Sequence, residues 1–82
     1  MILLTVYGRP DCHLCDEMVA ELTPLIAGNG RIEIVDISED DRLIEQYELR
    51  IPVLQCGDEE ISHYRLDREK VARFIERYEA HP

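Results

Sequence analysis

The run Ile2-Leu3-Leu4-Thr5-Val6-Tyr7 stops at Gly8-Arg9-Pro10 and gives way almost at once to apolar residues at helical spacing. A short apolar, β-branched segment halted by Gly and Pro is the pattern of a buried strand feeding a loop. From Cys12 onward, Cys15, Met18, Val19, Leu22, Leu25 and Ile26 recur at steps of three and four, tracing one helical face up to Gly28-Asn29-Gly30. Pro24 lies inside that stretch and cannot donate to the Ala20 carbonyl, which predicts a kink there or an early end near Leu22. Residues 31–37 then bring Ile32, Ile34, Val35 and Ile37, the β-branched enrichment of a second buried strand. A strand, a helix and a strand in succession imply a parallel pair, and that unit constrains what the rest of the chain can build.

Ser38 followed by Asp41 resembles a capping box, after which Leu43, Ile44 and Tyr47 mark the inner face of a short helix ending near Glu48. Residues 51–56 and 59–64, separated by Gly57-Asp58, predict two strands joined by a tight hairpin, with Pro52 confined to the opening or edge of its strand. Asp67 is placed to cap a last helix with Val71, Phe74, Ile75 and Tyr78 inward and Arg68, Glu69, Arg73 and Glu76 toward water. The expected order is β-α-β-α-β-β-α, an α/β fold with a four-stranded mixed sheet and helices on both faces.

With 82 residues the chain fits one domain, residues 1–82, and no internal repeat or low-complexity stretch divides it. Nine Lys and Arg against eighteen Asp and Glu give a formal charge of −9, which disfavours nucleic acid and anionic membrane surfaces as partners. The apolar start has no basic flank and reaches Arg9-Pro10 too soon for a signal-peptide core, so a cytoplasmic protein is expected. Three cysteines are too few and too unevenly placed for a secreted disulfide framework. In a reducing compartment, a Cys-x-x-Cys pair belongs with redox or metal chemistry. A zinc site needs a second pair of ligands, and Cys56 is the one cysteine left; no metal is therefore expected.

The stretch Tyr7-Gly8-Arg9-Pro10-Asp11-Cys12-His13-Leu14-Cys15 after a first strand, with Arg50-Ile51-Pro52-Val53 before a hairpin, resembles the glutaredoxin branch of the thioredoxin superfamily, in particular small bacterial glutaredoxin-like proteins. The resemblance spans essentially the whole chain and implies a thioredoxin-like fold. It also implies a thiol–disulfide oxidoreductase, an electron-transfer enzyme in which Cys12 attacks disulfides, Cys15 resolves, and Pro52 is cis and faces the sulfurs. Two departures stand out. The dipeptide between the cysteines is His13-Leu14 rather than Pro-Tyr, and Ile61-Ser62-His63-Tyr64-Arg65-Leu66-Asp67 replaces the Gly-Gly and Asp with which glutaredoxins hold glutathione. Glutathione is accordingly expected to be a poor ligand, and no cofactor beyond the Cys12–Cys15 dithiol is required.

The chemistry of the residues agrees with these roles. A cysteine at a helix N-terminus has its thiolate favoured by unpaired backbone N–H groups and the positive end of the dipole, which suits Cys12. Cys15 returns after nearly one turn, within disulfide reach but deeper in the helix. Arg9 and His13 flank the nucleophile and oppose the acidic Asp11, Asp16 and Glu17, Arg9 permanently and His13 when protonated. Pro52 leaves the Ile51 carbonyl and the next amide free for a substrate backbone. Arg50 is a candidate for a substrate carboxylate or a solvated strand-end charge. Cys56, about 13 Å along the strand from Pro52, is expected in the core or hairpin. The expected partners are a disulfide-containing protein or small-thiol substrate and an unidentified reductant, acting on a monomer. The competing readings are a binding module without turnover and a glutathione-assisted iron–sulfur carrier.

Overall fold

The computed structural model describes residues 2–79. The elements are β1 (Ile2–Gly8), α1 (His13–Ile26), β2 (Gly30–Asp36), a 3-10 turn (Ile37–Glu39), α2 (Asp41–Tyr47), β3 (Val53–Cys56), β4 (Glu59–His63) and α3 (Arg68–Glu79). The four strands form one sheet in the order β2-β1-β3-β4, with β1 and β2 parallel and the other two pairs antiparallel. This is the mixed α/β sheet and the element order that the hydrophobic pattern implies.

Alternation along the central strands divides the core into two layers. Ile2, Leu4 and Val6 of β1, Leu54 of β3 and Ile61 of β4 pack with Met18, Leu22 and Ile26 of α1 and with Val71 and Phe74 of α3. On the opposite face Val53 meets Ile37 and Tyr47, with Tyr7, Leu43, Ile44 and Ile51 closing the smaller cluster. Helices therefore cover both faces, α1 and α3 on one and α2 on the other. In the β3–β4 ladder Leu54 pairs with Ser62 and Gln55 with Glu60, so Ile61 is the extra residue of a bulge, and it turns into the larger cluster.

Several expectations are corrected. Helix α1 runs through Pro24 to Ile26, so of the two outcomes expected at Pro24 the early end near Leu22 does not occur. The lost bond, worth roughly 3 kcal/mol in a helix interior, falls near the end of the helix at the exposed residue Ala20, and the burial of Ile26 offsets part of it. Leu25 lies outside the inward stripe and is exposed. Strand β2 is an edge strand rather than a buried one: Ile34 is 63% exposed, because β1 flanks it on one side alone. The cap of α2 is Asp40, whose carboxylate accepts from the Arg42 N–H at 2.8 Å; Ser38 belongs to the preceding 3-10 turn, capped in turn by Asp36. Tyr78 is half-exposed, as α3 extends past the edge of the cluster that holds Phe74. Asp67 does cap α3, accepting from the Lys70 N–H at 3.0 Å.

Candidate active site

Gly8-Arg9-Pro10-Asp11 carries the chain from the carboxyl end of β1 to the start of α1. Asp11 takes a left-handed backbone, φ 61°, which costs an L-residue roughly 1–2 kcal/mol, although Asp tolerates it better than most. The turn delivers Cys12 to the N-cap of α1 with an extended backbone. Its sulfur accepts a hydrogen bond from the Cys15 N–H at 3.2 Å. Cys12 and Cys15 are joined in a disulfide, with Cα atoms 5.2 Å apart. Their surroundings differ: Cys12 is partly exposed, whereas Cys15 is 7% exposed and heads the inward stripe of α1. A Cβ placed on Gly8 would lie 2.7 Å from the Cys15 sulfur, so the close approach of strand and sulfur requires glycine there.

The flanking cations are not gathered on the sulfurs. His13 is well exposed and pairs with Glu17 one turn along α1, Nε2 to Oε1 at 3.0 Å. Arg9 is exposed at the rim of a concavity of about 290 Å³ beside Cys15, lined also by Val6, Val19 and Ile34. Its charge acts on Asp36. The Ser38 hydroxyl and amide, with a smaller contribution from Arg9, hold that carboxyl below the usual range.

The Ile51–Pro52 peptide is cis. The β1–β3 register pairs Tyr7 with Val53, and one step further sets Pro52 opposite Gly8, the residue in contact with Cys15. Pro52 is buried, and its carbonyl accepts from the Tyr64 N–H at 2.9 Å. Ile51 is half-buried against the α2 cluster. Arg50 is already engaged: its guanidinium pairs with Glu60, donates to the Gln46 carbonyl at 3.2 Å and lies 5.5 Å from the centre of the Tyr47 ring. Glu60 also binds His63, Oε2 to Nδ1 at 2.9 Å. Partial burial raises the Glu60 pKa, but the His63 hydrogen bond and the Arg50 charge outweigh it and hold the carboxyl below its ordinary value.

Sequence reasoning passed over Tyr64 and Glu60. Tyr64 lies just beyond β4 with φ 63°, and its hydroxyl donates to the Leu49 carbonyl. No spacing announces either contact, because the bulge at Ile61 shifts the strand that carries them. Cys56, at the far end of β3, is a free thiol; burial and then Glu59 push its pKa up. Among the described residues no group of three or more His, Cys, Asp or Glu is placed to hold a metal. A groove of about 600 Å³ separates α1 at Leu14, Met18 and Glu21 from residues 64–69. Arg68 spans it to Glu21 at 3.6 Å.

A Cys-x-x-Cys disulfide at a strand-to-helix turn, on a four-stranded mixed sheet packed between helices, defines a thioredoxin-like fold of the thiol–disulfide oxidoreductase type. Residues 3–76 match the Glutaredoxin-like domain, and the chain belongs to that family. It is similar to a structural genomics target protein from X. campestris, 33% identical over 90% of this chain and 96% of that one, with a TM-score of 0.70. The same fold is found in thioredoxin 1 from Thermosipho africanus, 20% identical over 94% of this chain and 93% of that one, with a TM-score of 0.63. It recurs in the glutaredoxin-like protein NrdH-redoxin from Escherichia coli, 21% identical over 99% and 97% of the two chains, with a TM-score of 0.54. Among curated proteins none matches. No helix among the described residues is long and apolar enough to cross a membrane.

Proposed function

We propose that this protein is a dithiol–disulfide oxidoreductase in which Cys12 is the nucleophile and Cys15 the resolving thiol. The observation that carries this reading is the unequal exposure of the two sulfurs: Cys12 caps the helix and meets solvent, while Cys15 packs under it against Gly8. In the reduced protein the Cys12 thiolate, favoured by the Cys15 N–H and the helix dipole, attacks a substrate disulfide. A mixed disulfide forms and one substrate thiolate leaves. The Cys15 thiolate then attacks the Cys12 sulfur, releases the second substrate thiolate and closes the Cys12–Cys15 disulfide, so two electrons have passed to the substrate. A reducing dithiol restores the protein by the reverse exchange.

The likeness to thioredoxin and to NrdH-redoxin, the latter titled for a thioredoxin-like activity profile, supports a dithiol cycle over one driven by glutathione. So do the formal charge of −9, which repels the glutathione anion, and Asp67, which is taken up in capping α3. The proposed setting is the cytoplasm, the substrate a disulfide of a protein or small thiol, and the acting form a monomer. The test is trapping on a Cys56→Ser background. Cys15→Ser is expected to accumulate mixed disulfides with a disulfide-bonded peptide on non-reducing gels, and Cys12→Ser almost none. Equal trapping by both variants would reverse or remove the assigned roles.

A further inference from the structure

The sheet has two edges, β2 and β4, and they are not equally guarded. Strand β4 is five residues long and is broken by the bulge at Ile61, two devices that spoil an edge as a template for another chain. Strand β2 has neither. Its seven residues, Gly30–Asp36, hold one unbroken register with β1, include no proline, and leave Ile34 63% exposed beside the concavity at Cys15. A strand so placed presents a row of backbone N–H and C=O groups on its outer side. Arg31 and Glu33 are exposed as well, share one face of the strand, and have no ion-pair partner among the described residues.

We propose that β2 is the pairing edge for a second copy of this chain, joined antiparallel about a two-fold axis at Ile32. The charges choose both the partner and the register. In a two-fold pairing that continues the sheet, opposed residues share a face and the central residue meets its own copy. Centred on Arg31 or on Glu33, like charges would stand directly opposite; centred on Ile34, neither residue would meet an opposite charge. Centred on Ile32, Arg31 of each copy faces Glu33 of the other, so two attractive pairs form. Ile32 then packs on Ile32, and Ile34 lies opposite Gly30, where no side chain obstructs it. The formal charge of −9 opposes association at long range, but at physiological salt such repulsion is screened beyond about 8 Å, while directly opposed pairs are not. Each chain carries both cysteines and its own Pro52, so the single chain remains the acting unit, and pairing covers the side of the concavity that Ile34 lines. The proposal stands on β2 and not on the redox reading.

Sedimentation equilibrium of the full chain, kept in dithiothreitol so that no disulfide links two copies through Cys56, tests this. Wild-type protein is expected to pass from monomer to dimer with rising concentration, with the weak Kd of a one-strand interface, roughly 100 µM. Arg31→Glu makes the chain more acidic and Glu33→Arg makes it less so. Each nevertheless turns two attractive pairs into two repulsive ones and is expected to raise Kd about tenfold or more. The double variant Arg31→Glu/Glu33→Arg restores both pairs with the signs exchanged, and its Kd should return to within about threefold of wild type. Both positions are exposed on an edge strand, so the substitutions leave the fold intact. A chain that stays monomeric up to about 1 mM overturns the proposal and leaves β2 to an unlike partner or to water. So does a dimer whose Kd follows net charge alone, rising in Arg31→Glu and falling in Glu33→Arg, because that pattern belongs to another face. A double variant that does not recover defeats the register, and the proposal with it.

Discussion

At the end of the sheet where β1 meets the disulfide, the left-handed backbone positions are occupied by Asp11, φ 61°, and Tyr64, φ 63°; at the opposite end they are occupied by Gly28, φ 81°, and Gly57, φ 60°. The two ends solve the same turning problem with different residues. In the β3–β4 hairpin, Gly57 takes the first central position of a two-residue loop and open space surrounds the site of its missing Cβ, so glycine serves there through its backbone alone. At the disulfide end the strained residues carry side chains, and that of Tyr64 holds a neighbouring segment. Glycine appears there too, at Gly8, but for lack of room beside the Cys15 sulfur rather than for a left-handed backbone. Backbone ease is thus kept where only a turn is wanted and given up where groups must be placed.

Substitutions at the two ends sharpen this contrast. The largest effect is expected at Gly8→Ala, whose methyl would press on the Cys15 sulfur. Overpacking of this kind costs about 2 kcal/mol, and calorimetry of the oxidised protein should show Tm lower by about 10 °C. A Tm within a degree or two of wild type would mean that α1 shifts freely away from the sheet. A smaller effect is expected at Gly57→Ala, about 1 kcal/mol from the left-handed backbone alone, whereas Asp11→Gly trades strain for chain entropy and should stay within about 0.5 kcal/mol of wild type. Equal losses in denaturant titrations of the two would erase the distinction drawn here. The smallest effect concerns Glu60. Its carboxyl is held below the unfolded value of 4.5 by His63 and Arg50 against the opposing effect of burial, so it adds stability that is full above that value and fades as pH falls through the folded one. Glu60→Gln should flatten that part of the pH–stability curve, and an unaltered slope below about pH 5 would show the pairing to be idle in solution.

The hydrophobic period carried most of the fold. Met18, Leu22 and Ile26 on α1, and Ile2, Leu4 and Val6 on β1, are buried as their spacing implies. The failures have a common cause in lateral position. Ile34 reads like Val6 in sequence, yet one lies on an edge strand and the other in the middle of the sheet, and composition does not state strand order. Tyr78 fits the inner stripe of α3 but stands beyond the core that the stripe covers. Of the candidate site, Cys12, Cys15 and Pro52 stood out through local motif and resemblance, whereas Gly8 read only as the stop of a strand and its closeness to the Cys15 sulfur emerges from the packing. The grip on Arg50 did not, because Glu60 reaches it through a strand register that the bulge at Ile61 resets. His13, adjacent to the nucleophile in sequence, turns instead to Glu17, since neighbours on a helix point about 100° apart.

The disulfide closes a loop with a sequence separation of 3, about as short as such a link allows. A cross-link stabilises a fold chiefly by denying the unfolded chain its freedom, and a ring this small denies it little, about 2 kcal/mol on the chain-entropy account against nearly 5 for a ring of a hundred residues. The remaining contacts, two apolar layers on either side of a four-stranded sheet, do not depend on the bond. The architecture is therefore expected to stand when the bond is broken, which leaves the free energy of the sulfur–sulfur link to the local surroundings of Cys12 and Cys15 rather than to the folding of the whole chain.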